Sequence, residues 1–225
     1  MSIILNIETA TTNCSVSLSK EGETFALLED NSKQYSHAER LHVYINQILE
    51  ENNIKSSQID AIAVSKGPGS YTGLRIGVSA AKGLCFALDK PLISVSTLEA
   101  LARQVKEENG LIIPMLDARR MEVYSAVFDA NFNTIREIEA QILDEQSFAS
   151  YLEKGKVYFI GNGVEKTKGL IQHENAVFID DKLPSANEMS VVAYNKYKKS
   201  DIEDVAYFEP YYLKDFVALK PKKKS

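Results

Sequence analysis

The run Ser65-Lys66-Gly67-Pro68-Gly69-Ser70-Tyr71-Thr72-Gly73-Leu74-Arg75-Ile76-Gly77 is where residue types and spacing in this 225-residue chain come nearest to chemistry. An apolar stretch over 59–64 runs into it, and a helix is expected from about Gly73 to Leu88. Glycines allow positive φ and let the backbone approach a ligand or a neighbour closely. A helix N-terminus after such a turn offers free N–H groups to an anion. No Gly-Lys-Ser/Thr follows at the P-loop spacing, and the run is not a dinucleotide fingerprint. Gly73, Gly77 and Ala81 recur every four residues, so one helix face carries almost no side chains. Something must pack tightly there, either the sheet or another chain, and packing is preferred over anion binding.

Glu8-Thr9-Ala10-Thr11 sits at a first hairpin turn. Such a turn can embrace a phosphate, with the carboxylate positioning a metal ion or water. The alternative, an ordinary polar β-turn, is favoured by the local pattern. Glu8, Thr9, Thr11, Gly67 and Gly69 form the candidate nucleotide-proximal set. His37 and His42 are five apart, which does not stack two imidazoles on one helix face. With His173 isolated in a polar loop, neither a metal site nor a Ser–His–Asp arrangement is indicated. Asp117-Ala118-Arg119-Arg120 reads as a charged turn, solvated rather than anion-binding. Cys14 and Cys85 form no CxxC pair and read as core thiols.

These groups need a frame, and composition allows one. The chain is 44% hydrophobic and 25% charged, enough for one large domain or two small ones. The net charge of −5 argues against a protein built mainly to grip nucleic acid. Four lysines lie within Lys220–Ser225, read as a solubilising end. No signal peptide and no membrane-length apolar run is visible, so a soluble, cytoplasmic protein is expected.

Ile3–Ile7 reads as an apolar strand. Cys14, Val16 and Leu18 alternate with serines, the period of a half-buried strand. Thr24–Glu29 is the third strand. Ser36-His37-Ala38-Glu39 fits a capping box, and Leu41, Ile45, Ile48 and Leu49 give a helical stripe to about Glu51. Strands are expected at Ile59–Val64 and Pro91–Val95. Ser96-Thr97-Leu98-Glu99 caps a helix to about Glu108. Leu111–Leu116, Val123–Phe128 and Ile135–Leu143 then repeat the opening three-strand meander. Ser147 caps a short helix, Val157–Ile160 is a strand, and Met189–Lys198 a helix. Two halves that each open on a meander indicate a duplicated α/β architecture.

Ile7–Thr11 with Cys14-Ser15-Val16, the Gly67–Gly77 string, Ile93–Glu99, Asp117–Arg119 with Glu122–Tyr124, and Glu209–Leu213 together resemble the TsaB (YeaZ) family. These are the non-catalytic subunits of the bacterial tRNA threonylcarbamoyladenosine synthase, within the TsaD glycoprotease-like superfamily. The resemblance implies an actin-like (ASKHA) fold of two βββαβα-type lobes, here 1–104 and 105–225. It implies a direct heterodimer with catalytic TsaD, an ATPase partner TsaE, and tRNA met through the complex. A homodimer in isolation is implied as well. TsaD-like sequences carry a His-x-x-x-His metal motif where this chain has Thr97 and Leu101. A catalytic or metal residue is therefore not expected. No cofactor is expected on the chain alone, with ATP or ADP confined to the complex. The helices implied in docking carry Gly73, Gly77, Ala81 and Leu84, and Leu41 and Ile45. The competing reading is an ASKHA phosphotransferase or ATPase active on its own, with Glu8 and the glycine turns around the phosphates. A peptidase ranks third, since no nucleophile–base pair is visible.

Overall fold

The computed structural model of the protein describes residues 1–31 and 37–214. The first five strands are β1 (Ile3–Glu8), β2 (Cys14–Lys20), β3 (Glu23–Asp30), β4 (Ala61–Gly67) and β5 (Leu92–Ser96). They form one sheet in the order β3-β2-β1-β4-β5. The next five are β6 (Leu111–Asp117), β7 (Glu122–Asp129), β8 (Thr134–Ile142), β9 (Val157–Ile160) and β10 (Ala176–Ile179). Their order is β10-β9-β6-β7-β8, the same topology again. In each sheet an antiparallel three-strand meander continues into two parallel strands. The duplicated architecture read from the sequence is therefore present strand by strand.

Helices α1 (His37–Glu51), α2 (Tyr71–Leu88) and α3 (Thr97–Ala102) belong to the first half; α4 (Ala149–Leu152), α5 (Val164–Lys168) and α6 (Ala186–Lys198) to the second. The periodic stripe of α1 is its buried face: Leu41, Ile45 and Ile48 pack with Leu5, Ile7, Val16 and Leu18. Ser36, expected to cap α1, lies outside the described residues, as does the lysine-rich end 215–225.

Four expectations are corrected. β2 is buried on both faces rather than half-buried. Its serines do not face water, because α6 returns from the second half and covers them. Ser15 Oγ accepts from Ala186 N at 2.9 Å, and Ser17 Oγ donates to Ala186 O at 2.9 Å. Small hydroxyls are tolerated inside because each has a partner. Helix α3 ends at Ala102 and does not reach Glu108. Val105 is drawn into the core of the second sheet beside Ile112 and Leu116, so the chain must leave the helical path. Ser147 does not cap α4; its Oγ is bonded to Asp144, and Phe148 takes the cap position at φ 65°. Burial of Phe148 edge-on to Phe159, 5.5 Å between ring centroids, outweighs the missing cap. Finally, α6 begins at Ala186, three residues before Met189, with Ser185 accepting from Asn187 N.

After α6 the segment 201–214 runs as a strap along the first sheet. Glu203 bridges to Leu92, Lys82 Nζ donates to the carbonyls of Ala206 and Phe208, and Tyr211 N donates to Lys66 O. Lys214 then pairs with Glu122 in the second half. Among the described residues, no helix is long and apolar enough to cross a membrane.

Candidate functional site

Strand β1 ends at Glu8 and delivers its carboxylate into the protein interior, with none of it exposed. Oε1 accepts from Ala10 N at 2.6 Å and from Ser65 Oγ at 2.8 Å. Oε2 is buried and has no hydrogen-bond partner. Burial disfavours the charged form and pushes Glu8 up to about 7, against the lowering effect of the bonds from Ala10, Ser65 and Thr9. A group held this way is not poised over open space to position a metal ion.

The glycine-rich segment explains why. The β4–α2 turn folds directly onto the β1–β2 loop. Ser70 N donates to Ala10 O at 2.7 Å, and Thr9 Oγ1 donates to Gly73 O at 2.8 Å. A Cβ on Gly69 would lie 2.5 Å from Ala10 O. On Gly73 it would collide with Thr9 O, and on Gly77 with Thr9 Oγ1. The glycines let two backbone segments touch, and the occupant of their face is this chain's own loop. Gly67, at φ 111°, adopts a left-handed conformation that side chains disfavour, with Tyr211 O packed against it. Of the candidate nucleotide-proximal set, Thr9 is packed against the β4–α2 turn that holds Gly69, Glu8 is closed in by Ala10 and Ser65, Thr11 meets His37, and Gly67 meets Thr97 and Tyr211.

The docking residues read from the sequence lie on the inner faces of their helices. Gly73, Gly77 and Ala81 on α2 and Leu41 and Ile45 on α1 are buried in the core of their own lobe. Only Leu84 of that set is partly exposed. The solvent face of α2 carries Thr72, Arg75, Ser79, Gly83 and Phe86 instead. Phe86 is 87% exposed, and Val43 on α1 is 57% exposed. A Cβ on Gly83 would meet nothing within 4 Å.

Thr97 and Leu101 lie one turn apart on α3, both fully buried. Thr97 Oγ1 accepts from Gly67 N at 3.1 Å, and Leu101 packs with Leu98, Ala102 and Ile160. His37 is also buried, its Nε2 2.7 Å from Thr11 O, so it ties the start of α1 to the β1–β2 loop. Burial lowers its pKa. Among the described residues no group of three or more His, Cys, Asp or Glu side chains is arranged to hold a metal ion. Both cysteines are buried free thiols, pushed by burial to about 11 for Cys14 and about 12 for Cys85. At the β6–β7 turn Lys166 Nζ fills the space beside Asp117, bonded to its Oδ1 at 2.5 Å and to the carbonyls of Arg120 and Glu122.

Ser65 heads the glycine-rich run but has no role of its own in the sequence reading, and Lys82 has none either; their roles rest on contacts 57 and at least 124 residues away. No local pattern signals either.

The family model described as TsaD, tRNA N6-adenosine threonylcarbamoyltransferase, matches residues 31–222. The tRNA threonylcarbamoyladenosine biosynthesis protein TsaB of Escherichia coli is 32% identical over 225 residues, covering 96% of each chain. That of Bacillus subtilis is 34% identical over 176 residues, covering 75% of each. The solved structure of YeaZ from Pseudomonas aeruginosa superposes with a TM-score of 0.84 at 27% identity, covering 95% of this chain and 100% of that one.

Proposed function

Because the chain belongs to the TsaB family, within the TsaD superfamily, we propose that it acts as the non-catalytic partner in threonylcarbamoyladenosine formation on tRNA, by docking to a TsaD-type catalytic subunit. Its fold is the actin-like (ASKHA) fold, each lobe running βββαβαβ and closed by a helix. Thr97 and Leu101 carry the reading. They stand where TsaD-like sequences have metal-binding histidines, and both are absorbed into packing. Leu offers no ligand atom and Thr is a poor ligand for a transition metal. The closed Glu8–Thr11 loop adds support, since its polar atoms are turned on each other rather than on a phosphate.

The docking surface is the outer face of α2 with the neighbouring α1: Thr72, Arg75, Ser79, Gly83 and Phe86, with Val43 and the half-buried Leu84. A large exposed aromatic beside a glycine with open space above it suits close helix–helix approach. Self-association through the same face competes with the heterodimer. TsaE and tRNA join through the assembled complex, in the cytoplasm.

Reconstitution tests this. The purified chain alone modifies no tRNA, whereas the chain with TsaD, TsaE and threonylcarbamoyl-AMP does. Turnover by the isolated chain, or stoichiometric tight binding of magnesium-ATP to it, would overturn the proposal in favour of an ATPase.

A further inference from the structure

The β1–β2 loop, residues 9–13, fastens three helices at once. Thr9 Oγ1 donates to Gly73 O, and Ala10 O accepts from Ser70 N, both at the start of α2. Thr11 O lies 2.7 Å from His37 Nε2 at the start of α1, and Asn13 Nδ2 donates to Pro184 O at 3.0 Å in the approach to α6. Glu8 is the root of this loop. Its carboxyl is fully buried, and Ala10 N and Ser65 Oγ both donate to Oε1. Oε2 is sealed inside without a partner. A neutral carboxyl is tolerated in such a place at modest cost, whereas a carboxylate is left with one oxygen unsolvated.

No ionisable group on the surrounding elements compensates that charge. On α1, Arg40 pairs with Asp30, and on α3, Arg103 pairs with Glu99. Glu29 on β3 and Glu188 on α6 carry the same sign as Glu8. Burial pushes the Cys14 thiol on β2 up to about 11 and lowers the pKa of His37 on α1, so both are held neutral. Lys66 on β4 and Arg75 on α2 are not buried. What acts on Glu8 is burial first, then the hydrogen bonds of Ala10, Ser65 and Thr9.

We propose that Glu8 is a proton-operated latch: protonated, it keeps the 9–13 loop shut on α1 and α2; ionised, it draws water in and the loop opens. In the open loop the carboxylate meets solvent and regains its ordinary proton affinity. The proton therefore favours the shut form, so opening rises with pH and levels off once the shut form has lost its proton too. With a pKa of about 7 in the shut form and 4.5 in the open one, opening grows about tenfold from about pH 6 to about pH 8. Helices α1 and α2 carry the docking face proposed above, so docking weakens over the same range. That consequence rests on the docking reading; the latch itself does not.

Amide hydrogen exchange of the full chain at about pH 6 and about pH 8, corrected for the intrinsic rates of the unstructured sequence, tests the latch. The amides of Ala10, Asn13 and Ser70, all bonded within the loop junction, report its opening. A rise of about tenfold is expected in the wild type and none in Glu8→Gln, which keeps the neutral shape. At both pH values these amides should exchange faster than those of β6 and β9, which separates local opening from global unfolding. Where Glu8→Gln does not fold, Ser65→Ala decides: without that donor to Oε1 the shut form holds its proton more firmly, and the rise ends at higher pH. A level wild-type profile, an equal rise in Glu8→Gln, protection equal to that of β6 and β9, or an unshifted profile in Ser65→Ala would overturn the latch. Affinity for TsaD at the same two pH values tests the consequence, and should fall at the higher pH in the wild type alone. No docking at either pH would overturn the docking reading, with exchange still deciding the latch; docking as pH-dependent in Glu8→Gln as in the wild type would overturn the coupling.

Discussion

A carboxyl group cut off from solvent, with two donors on one oxygen and none on the other, holds its proton more firmly than it does in water. Glu8 is in that position, and its pKa of about 7 in the fold compares with 4.5 for an ordinary glutamate. The raised value fixes the sign of the pH effect. Between about pH 4.5 and 7 the unfolded chain releases this proton while the folded chain keeps it, so stability falls as pH rises. The loss levels off above the folded value, and amounts to about 3 kcal/mol from this group. Urea midpoints across this window should show Glu8→Gln with a flatter pH dependence than the wild type; parallel profiles would refute it. Gly77 makes a second residue-scale test. An added Cβ meets Thr9 Oγ1, so Gly77→Ala should lower stability by about 1–3 kcal/mol in denaturant titration through overpacking. The small-residue face was legible in the sequence, but what covers it was not. Spacing shows that a face is bare and carries no information on whether Thr9 or another chain lies against it.

At the scale of elements, burial on one side of α2 defines what is free on the other. Phe86→Asp and Gly83→Arg alter only solvent-facing positions. Both should leave the melting temperature nearly unchanged and abolish co-elution with TsaD. Retained co-elution would place the docking face elsewhere. The strap over 201–214 has few apolar anchors and depends on Lys82, whose ammonium holds two of its carbonyls. Lys82→Ala should raise amide hydrogen exchange across 203–208 about fivefold, the effect of losing about 1 kcal/mol locally. Unchanged protection there would show that the Glu203–Leu92 bridge suffices. The long periodic elements, α1 and α2, were legible because their stripes coincide with what the sheet buries. Helix α3 was overread because its cap was correct but Val105 answers to the other sheet. Helix α5 and strand β10 were not expected: five and four residues are too few for a period to show.

The whole molecule repeats one topology, and the sequence disclosed this through two meanders rather than through identity between halves. Lobes at 1–104 and 105–225 are proposed on the sheets those segments carry. The path of α6 sets a limit on their independence. Ala186, Met189, Val192 and Ala193 cover Ile4, Ala61, Ala63, Ile93 and Val95, and Ser190 Oγ accepts from Asn6 Nδ2 at 3.3 Å. Without α6 one face of the first sheet is bare, and Ser15 and Ser17 of β2 lose their bonds to Ala186. Exposing that apolar face forfeits roughly 25 cal/mol for each Å² returned to water, on a domain of marginal size. A fragment of residues 1–104 should therefore lack a cooperative urea transition, although it holds all five strands of its sheet. Adding a peptide of residues 183–214 in trans should restore one, monitored by far-ultraviolet circular dichroism. A cooperative transition of 1–104 alone at the midpoint of the whole chain would show that the lobe is self-sufficient and that α6 is only laid upon it.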